Sequence, residues 1–142
     1  MSYATQADMT RQFGERELIM LTDRAMLGVV DGVVVADALA RASSLIEGYL
    51  GDRFGKPLPS VPVEILDACC DIARYKLCGT DARSTDDIRI RYKDALKLLA
   101  QIRDGELNVG LSAQGVALAS TLNVLSSSAP RVMTAQGLAG FV

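Results

Sequence analysis

Few side chains in this sequence are suited to chemistry, and their spacing does not favour it. The 142 residues include no histidine, which excludes a histidine-activated nucleophile and a histidine-ligated zinc site. The three cysteines, Cys69, Cys70 and Cys78, form no Cys-x-x-Cys pair. We therefore expect reduced thiols of a cytoplasmic protein, buried in a helix core apart from one at the surface. The sequence also has no glycine-rich phosphate loop.

Acidic residues offer two further possibilities, and both are weak. Residues 86–87 and 104–106 each bring two acids close together, as a general acid–base pair requires. Acids in the first turn of a helix favour its dipole, however, so we expect the first pair to be solvated. Asp23, Gly28 and Asp31 match part of a calcium loop, but the remaining ligand positions carry no carboxylate. We expect an ordinary interhelical loop, no metal or other cofactor, and a chain that is not an enzyme.

The helix on which the other elements pack is predicted over residues 34–54. Apolar residues recur there at spacings of three and four, which is typical of one face of an amphipathic helix. Gly55, followed by two prolines, ends the segment. The apolar face consists of Val35, Ala38, Leu39, Ala42, Leu45, Ile46, Tyr49, Leu50 and Phe54.

Four further helices are predicted from periodicity and from their end signals. We expect them over residues 6–13, 15–21, 62–78 and 84–103. The first and the last begin with a pattern that resembles a capping box, Thr5 with Asp8 and Ser84 with Asp87. The predicted fold class is all-α. It is a small helical bundle of three main helices plus two short N-terminal ones, within residues 1–106.

The distribution of charge divides the sequence after residue 106. Residues 1–106 hold all 17 acidic and 14 of the 15 basic residues, whereas residues 107–142, the C-terminal segment, hold only Arg131. Such an uncharged, aliphatic segment is unlike a solvated disordered tail. Apolar residues alternate over two stretches, which predicts two short β-strands. These residues are Leu107, Val109 and Leu111, followed by Val116, Leu118, Leu122 and Val124.

An exposed apolar segment of this length would promote aggregation of a free monomer. It could fold back on its own bundle, or it could cross to neighbouring copies or to a partner. We expect the second arrangement, with the alternating residues in strand-like contacts between subunits. Arg131, Leu138 and Phe141 would anchor the end. Polar residues interrupt the uncharged stretch too often for a membrane span.

The overall charge argues against a nucleic-acid surface. The net charge is -2 and the pI is near 5.1, whereas DNA-binding surfaces carry a clustered basic excess. Residues 8–18 faintly resemble a helix-turn-helix, but Glu15 and Glu17 stand where a recognition helix carries basic or amide side chains. A small helical DNA-binding or regulatory protein is the alternative function, and a small enzyme is a third.

The order of several motifs resembles the small head–tail connector proteins of Mu-like phages and prophages, also described as head-completion or adaptor proteins. The resemblance covers about residues 3–111. It lies in the stretches YATQADMTRQFGERELIMLTDR, ALARASSLIEGYLGDRF, PLPSVPVEILDACCDIARYKL and IRIRYKDALKLLAQIRDGELNVGL. The sequence departs from the family's pattern at residues 24–28, where relatives often carry an acid-rich loop.

This resemblance implies a structural protein of the phage virion. Similar families are helical bundles that form a homo-oligomeric ring, usually a dodecamer, beneath the portal protein. The expected partners are other copies of the chain, the portal, and a tail-side connector or tail terminator protein, with DNA only passing through the lumen. The expected location is the neck between head and tail, after assembly in the host cytoplasm.

Overall fold

Five α-helices make up most of the computed structural model, which describes residues 2–79 and 85–111. They are α1 (Gln6–Phe13), α2 (Glu15–Thr22), α3 (Gly32–Phe54), α4 (Val63–Cys78) and α5 (Asp86–Asp104). The long helices α3, α4 and α5 pack on one another, while α1 packs on α3 and α4 and α2 packs on α4. The predicted all-α bundle of three main helices and two short ones is confirmed. Of the two predicted strands, only residues 107–111 are described, and these residues form no strand.

The core lies along the face of α3 that the spacing of apolar residues predicts. Seven of its nine predicted residues are buried, and Leu45 and Tyr49 are half-buried and pack against them. The core residues of α4 and α5, such as Ile65, Ile72 and Leu99, are fully buried against this face. Burial of a large aliphatic side chain stabilises the fold by about 1.5–3 kcal/mol, so the three long helices depend on each other. The buried residues of α3 are Val35, Ala38, Leu39, Ala42, Ile46, Leu50 and Phe54.

Polar side chains cap the first and third helices. The predicted capping box is present in α1, where Thr5 Oγ1 accepts from the Asp8 N–H at 3.3 Å and Asp8 Oδ2 accepts from the Thr5 N–H at 2.9 Å. These bonds from Thr5 lower the pKa of Asp8. Helix α3 begins two residues earlier than predicted because Asp31 Oδ1 accepts from the N–H groups of Val33 and Val34.

The start of the last helix corrects one prediction. Its N-cap is Thr85 and not Ser84, because Thr85 Oγ1 lies 3.5 Å from the N–H of Ile88. Ile88 is buried, so the apolar face of α5 sets the frame in which the helix can begin. Pro62 likewise lies at the N-cap of α4, one position before the first turn in which it was expected.

All three cysteines are buried free thiols, so the prediction of one surface thiol is wrong. Cys78 is buried against Leu21 and Ile88 in a small cluster that joins α2, α4 and α5. Burial raises the pKa of Cys69, and it raises the pKa of Cys70 to about 12. Both thiols are therefore protonated at neutral pH.

The N-terminal residues are held on the bundle by Tyr3, a residue that no sequence motif indicates. The Tyr3 N–H donates to the buried Ser43 Oγ at 3.0 Å. Its hydroxyl donates to Glu47 Oε1 at 2.7 Å and accepts from the Leu58 N–H at 3.1 Å. One side chain thus joins the N-terminus, α3 and the connection between α3 and α4.

Candidate interaction surface

The loop between α2 and α3, residues 23–31, is folded around one carboxylate. Asp23 accepts from the backbone N–H groups of Leu27 at 2.9 Å and Gly28 at 2.6 Å. These donors, Leu27 first, hold the pKa of Asp23 below its ordinary value. At the other end of the loop, the Asp31 N–H donates to Thr22 Oγ1 at 3.1 Å. The loop therefore has a defined shape. Asp23, the first acid of the partial calcium-loop pattern, bonds to the backbone of the loop itself.

Large apolar side chains on and beside this loop are exposed to solvent. Met26 is 92% exposed, Leu27 is 74% exposed, and Met20, Val29 and Val33 are also exposed. We name these five residues the loop patch. Met26 has a backbone φ of +56°, a left-handed conformation that costs a non-glycine residue on the order of 1 kcal/mol. A hydrogen-bonded loop that holds an apolar side chain in this conformation at the surface is typical of a binding surface.

A groove of about 960 Å³ opens beside the loop patch. The end of α1, one side of α2, Met26, the second half of α4 and the start of α5 form its walls. We name it the α2 groove, and its lining includes Phe13, Ile19, Met20, Leu21, Met26, Arg74 and Ile88.

Two cations line the α2 groove, the exposed Arg16 and the mostly buried Arg74, and Arg74 is neutralised within the chain. The Arg74 side chain is mostly buried and pairs with Glu17 at 2.5 Å and with Asp87 at 3.4 Å. Its guanidinium also lies over the ring of Phe13, 4.6 Å from the centroid. These contacts hold Arg74 in place, so the groove presents mainly apolar surface, with Arg16 as its exposed cation.

The sequence-predicted interface residues are only partly described. Leu107 is 39% exposed, Val109 packs against the core, and Leu111 is 7% exposed and belongs to the core. Leu111 therefore has a role in its own fold, and the intersubunit role of all three stays a prediction. The remaining predicted residues lie outside the described part of the chain: Val116, Leu118, Leu122, Val124, Arg131, Leu138 and Phe141.

An arginine of α3 bonds to the C-terminal end of α5. Arg53 Nη1 donates to the carbonyls of Ile102 at 2.9 Å and Arg103 at 3.1 Å, which are among the last of α5. Gly105 ends α5 in the left-handed conformation, with φ +83°. Residues 105–111 therefore lie at the end of the bundle where α3 and α5 both end.

A half-buried carboxylate that no sequence motif indicates, that of Asp71, lies between α4 and α5. The Asp71 side chain is 18% exposed, and its Oδ1 is 4.0 Å from Arg91 Nη1 and has no hydrogen-bond partner. Burial raises the pKa of Asp71 to about 6, although Arg91 and Arg74 oppose the shift. Asp71 lines a groove with Glu64, Asp67 and Asp94, so this side of the bundle is acidic.

The acid pairs considered in the sequence lie at the surface among arginines. Asp86 is 3.9 Å from Arg89, and Asp87 contacts Arg74 and Arg91. Asp104 pairs with the neighbouring Arg103 at 2.8 Å, and that hydrogen bond lowers the pKa of Asp104. Within residues 2–79 and 85–111, no group of three or more cysteine, aspartate or glutamate residues is arranged to hold a metal ion. In the same part of the chain, no helix is both long and apolar enough to cross a membrane.

Comparison with known proteins places this chain among phage proteins. The sequence family described as "Bacteriophage Mu, Gp36" matches residues 3–126. "Gene product J" of Escherichia phage Mu is 35% identical over 118 residues, which are 82% of this chain and 82% of that protein. "Mu-like prophage FluMu protein gp36" of Haemophilus influenzae is 30% identical over 140 residues, 99% of this chain and 98% of that protein. The chain therefore belongs to the bacteriophage Mu Gp36 family.

Proposed function

We propose that this protein is a structural, non-enzymatic component of a phage particle, a connector that joins the portal of the filled head to the tail. The observation that carries the proposal is the loop patch, a set of exposed apolar side chains on a hydrogen-bonded loop, in a member of a phage protein family. Apolar surface of this kind is typical of protein–protein contacts.

The geometry of the loop patch suits a stable protein–protein contact. The bonds from Leu27, Gly28 and Asp31 fix the loop before it meets a partner. Little conformational entropy is therefore lost when the exposed methionine, leucine and valine side chains are covered. The same side chains would favour aggregation of a free monomer at high concentration, so the surface makes sense in a protein that works in an assembly.

In this proposal twelve copies form a ring in register with the portal, and the ring completes the head. One face of the ring meets the portal and the other meets a tail-side connector or tail terminator protein. DNA only passes through the lumen. The C-terminal segment, whose single charge is Arg131, adds contacts to neighbours or partners, and many weak contacts acting together give a stable joint.

Electron microscopy of the full chain, alone and mixed with the portal protein of the same phage or prophage, tests the proposal. We expect rings, either in solution or on the portal. A monodisperse monomer that never binds the portal would overturn it. So would a salt-sensitive gel shift with DNA at micromolar protein, since that outcome supports the DNA-binding alternative.

A further inference from the structure

The α2 groove and the start of the undescribed C-terminal residues lie at opposite ends of the bundle. Met26 precedes the first residue of α3, and Ile88 lies in the first turn of α5. Leu111 instead lies beside Phe54, the last residue of α3, and Gly105, which ends α5. The 23 residues of α3 separate these two places by about 34 Å.

The chain beyond Leu111 is long enough to cross that distance and to leave its own bundle. Residues 112–142, the last 31 of the sequence, reach at most about 100 Å when extended. They carry a single charge, Arg131, and are rich in leucine, valine and alanine. A segment of this composition requires an apolar surface to cover it.

We propose that the α2 groove and loop patch of one copy bind residues 112–142 of a second copy. This inference rests on the proposed function, since it names the contact by which copies assemble. In the single chain Met26 is 92% exposed and Leu27 is 74% exposed, so their surface is available to another molecule. Most of the surface of the groove is apolar, and of its two arginines Arg74 is already paired with Glu17 and Asp87. The groove therefore suits an apolar segment that carries a single charge better than a strongly charged partner.

Two full-length variants, each lacking one half of the contact, test the proposal. The groove variant carries Met26→Glu and Leu27→Glu, which place charges in the loop patch at exposed positions. The segment variant carries Leu118→Glu, Leu122→Glu, Leu138→Glu and Phe141→Glu. Neither variant should self-associate in analytical ultracentrifugation at micromolar concentration. Their equimolar mixture should form a 1:1 complex of twice the 15.2-kDa chain mass, because it restores one intact contact.

Val63→Glu is the matched control for the groove variant. Val63 is an exposed valine in the first turn of α4, at the opposite end of the bundle from the groove. The Val63→Glu variant should self-associate as the unmodified chain does. Helical circular dichroism must be the same in every variant, which separates loss of contact from loss of fold.

Two results would overturn the proposal. One is a groove variant that self-associates like the unmodified chain, and the other is a mixture that remains monomeric. A mixture that remains monomeric is also the result expected if residues 112–142 docked on their own bundle. Binding of the unmodified chain to the portal is measured separately. If rings form on the portal but the two variants form no complex, this contact alone is refuted. If the two variants form a complex but the unmodified chain does not bind the portal, the connector function alone is refuted.

Discussion

Replacing Asp71 with asparagine is expected to stabilise the bundle at neutral and alkaline pH. The carboxylate lies between α4 and α5, its Oδ1 accepts no hydrogen bond, and the nearest cation, Arg91, is 4.0 Å away. Burial is the main reason that the pKa of Asp71 rises from 3.8 to about 6. Folding therefore places a charge in a poorly solvated position whenever Asp71 is ionised.

The size and the sign of the effect follow from the pKa difference. A difference of about two pH units corresponds to about 3 kcal/mol, an upper limit because the side chain keeps some solvent contact. The folded state holds the proton of Asp71 more tightly than the unfolded state does. The contribution of this group to stability is therefore highest below 3.8, falls as the pH rises from 3.8 to about 6, and stays low above 6.

Urea unfolding followed by circular dichroism measures this directly. We expect Asp71→Asn to raise the free energy of unfolding by about 1–2 kcal/mol at about pH 8, and by clearly less at about pH 5. Asp67→Asn, at an exposed site one turn earlier on α4, controls for the loss of an acid from the same groove. A gain that is equal at both pH values would refute the reasoning, because it would not depend on the ionisation of Asp71.

Three further substitutions test contacts that fasten the ends of the bundle, each by the midpoint of urea unfolding. Tyr3→Phe removes the hydroxyl that joins Glu47 and Leu58. It should lower the free energy of unfolding by about 1–3 kcal/mol. An unchanged midpoint would mean that water replaces these bonds. Arg53→Ala frees two carbonyls at the end of α5 and should cost about 1 kcal/mol. Leu111→Ala should cost about 2–5 kcal/mol if residues 105–111 belong to the core, and a loss below about 0.5 kcal/mol would contradict that placement.

The helices could be predicted from apolar periodicity and capping residues, because both depend only on residues close together in the sequence. The apolar face of α3 follows the helical period, and the Thr5–Asp8 box needs only residues three apart. The error at the start of α5 has a physical cause. Ser84 and Thr85 can both cap a helix that begins with acids, and the choice depends on burying Ile88. The burial of Cys78 likewise depends on packing between α2 and α5, which no local pattern contains.

The candidate site was harder to predict because it depends on distant contacts. The bonds of Tyr3 cross 40 or more residues of sequence, and the position of Asp71 is set by how α5 packs on α4. The loop patch did have a signal. Residues 25–30 are apolar apart from Gly28, whereas connecting loops are normally polar. This apolar composition, and not the partial calcium-loop pattern, is the sequence signal for an exposed apolar surface.

The separation of the α2 groove from Leu111 gives the proposed contact a direction. One copy would offer its groove and the next its C-terminal residues, so the contact is heterologous and can be repeated around a ring or along a filament. The loop patch is fixed by hydrogen bonds, but residues 112–142 can reach about three times the length of α3. Such a long connection tolerates many rotations between neighbouring copies. The contact would therefore hold copies together without fixing their number, and in our proposal the symmetry of the portal sets that number.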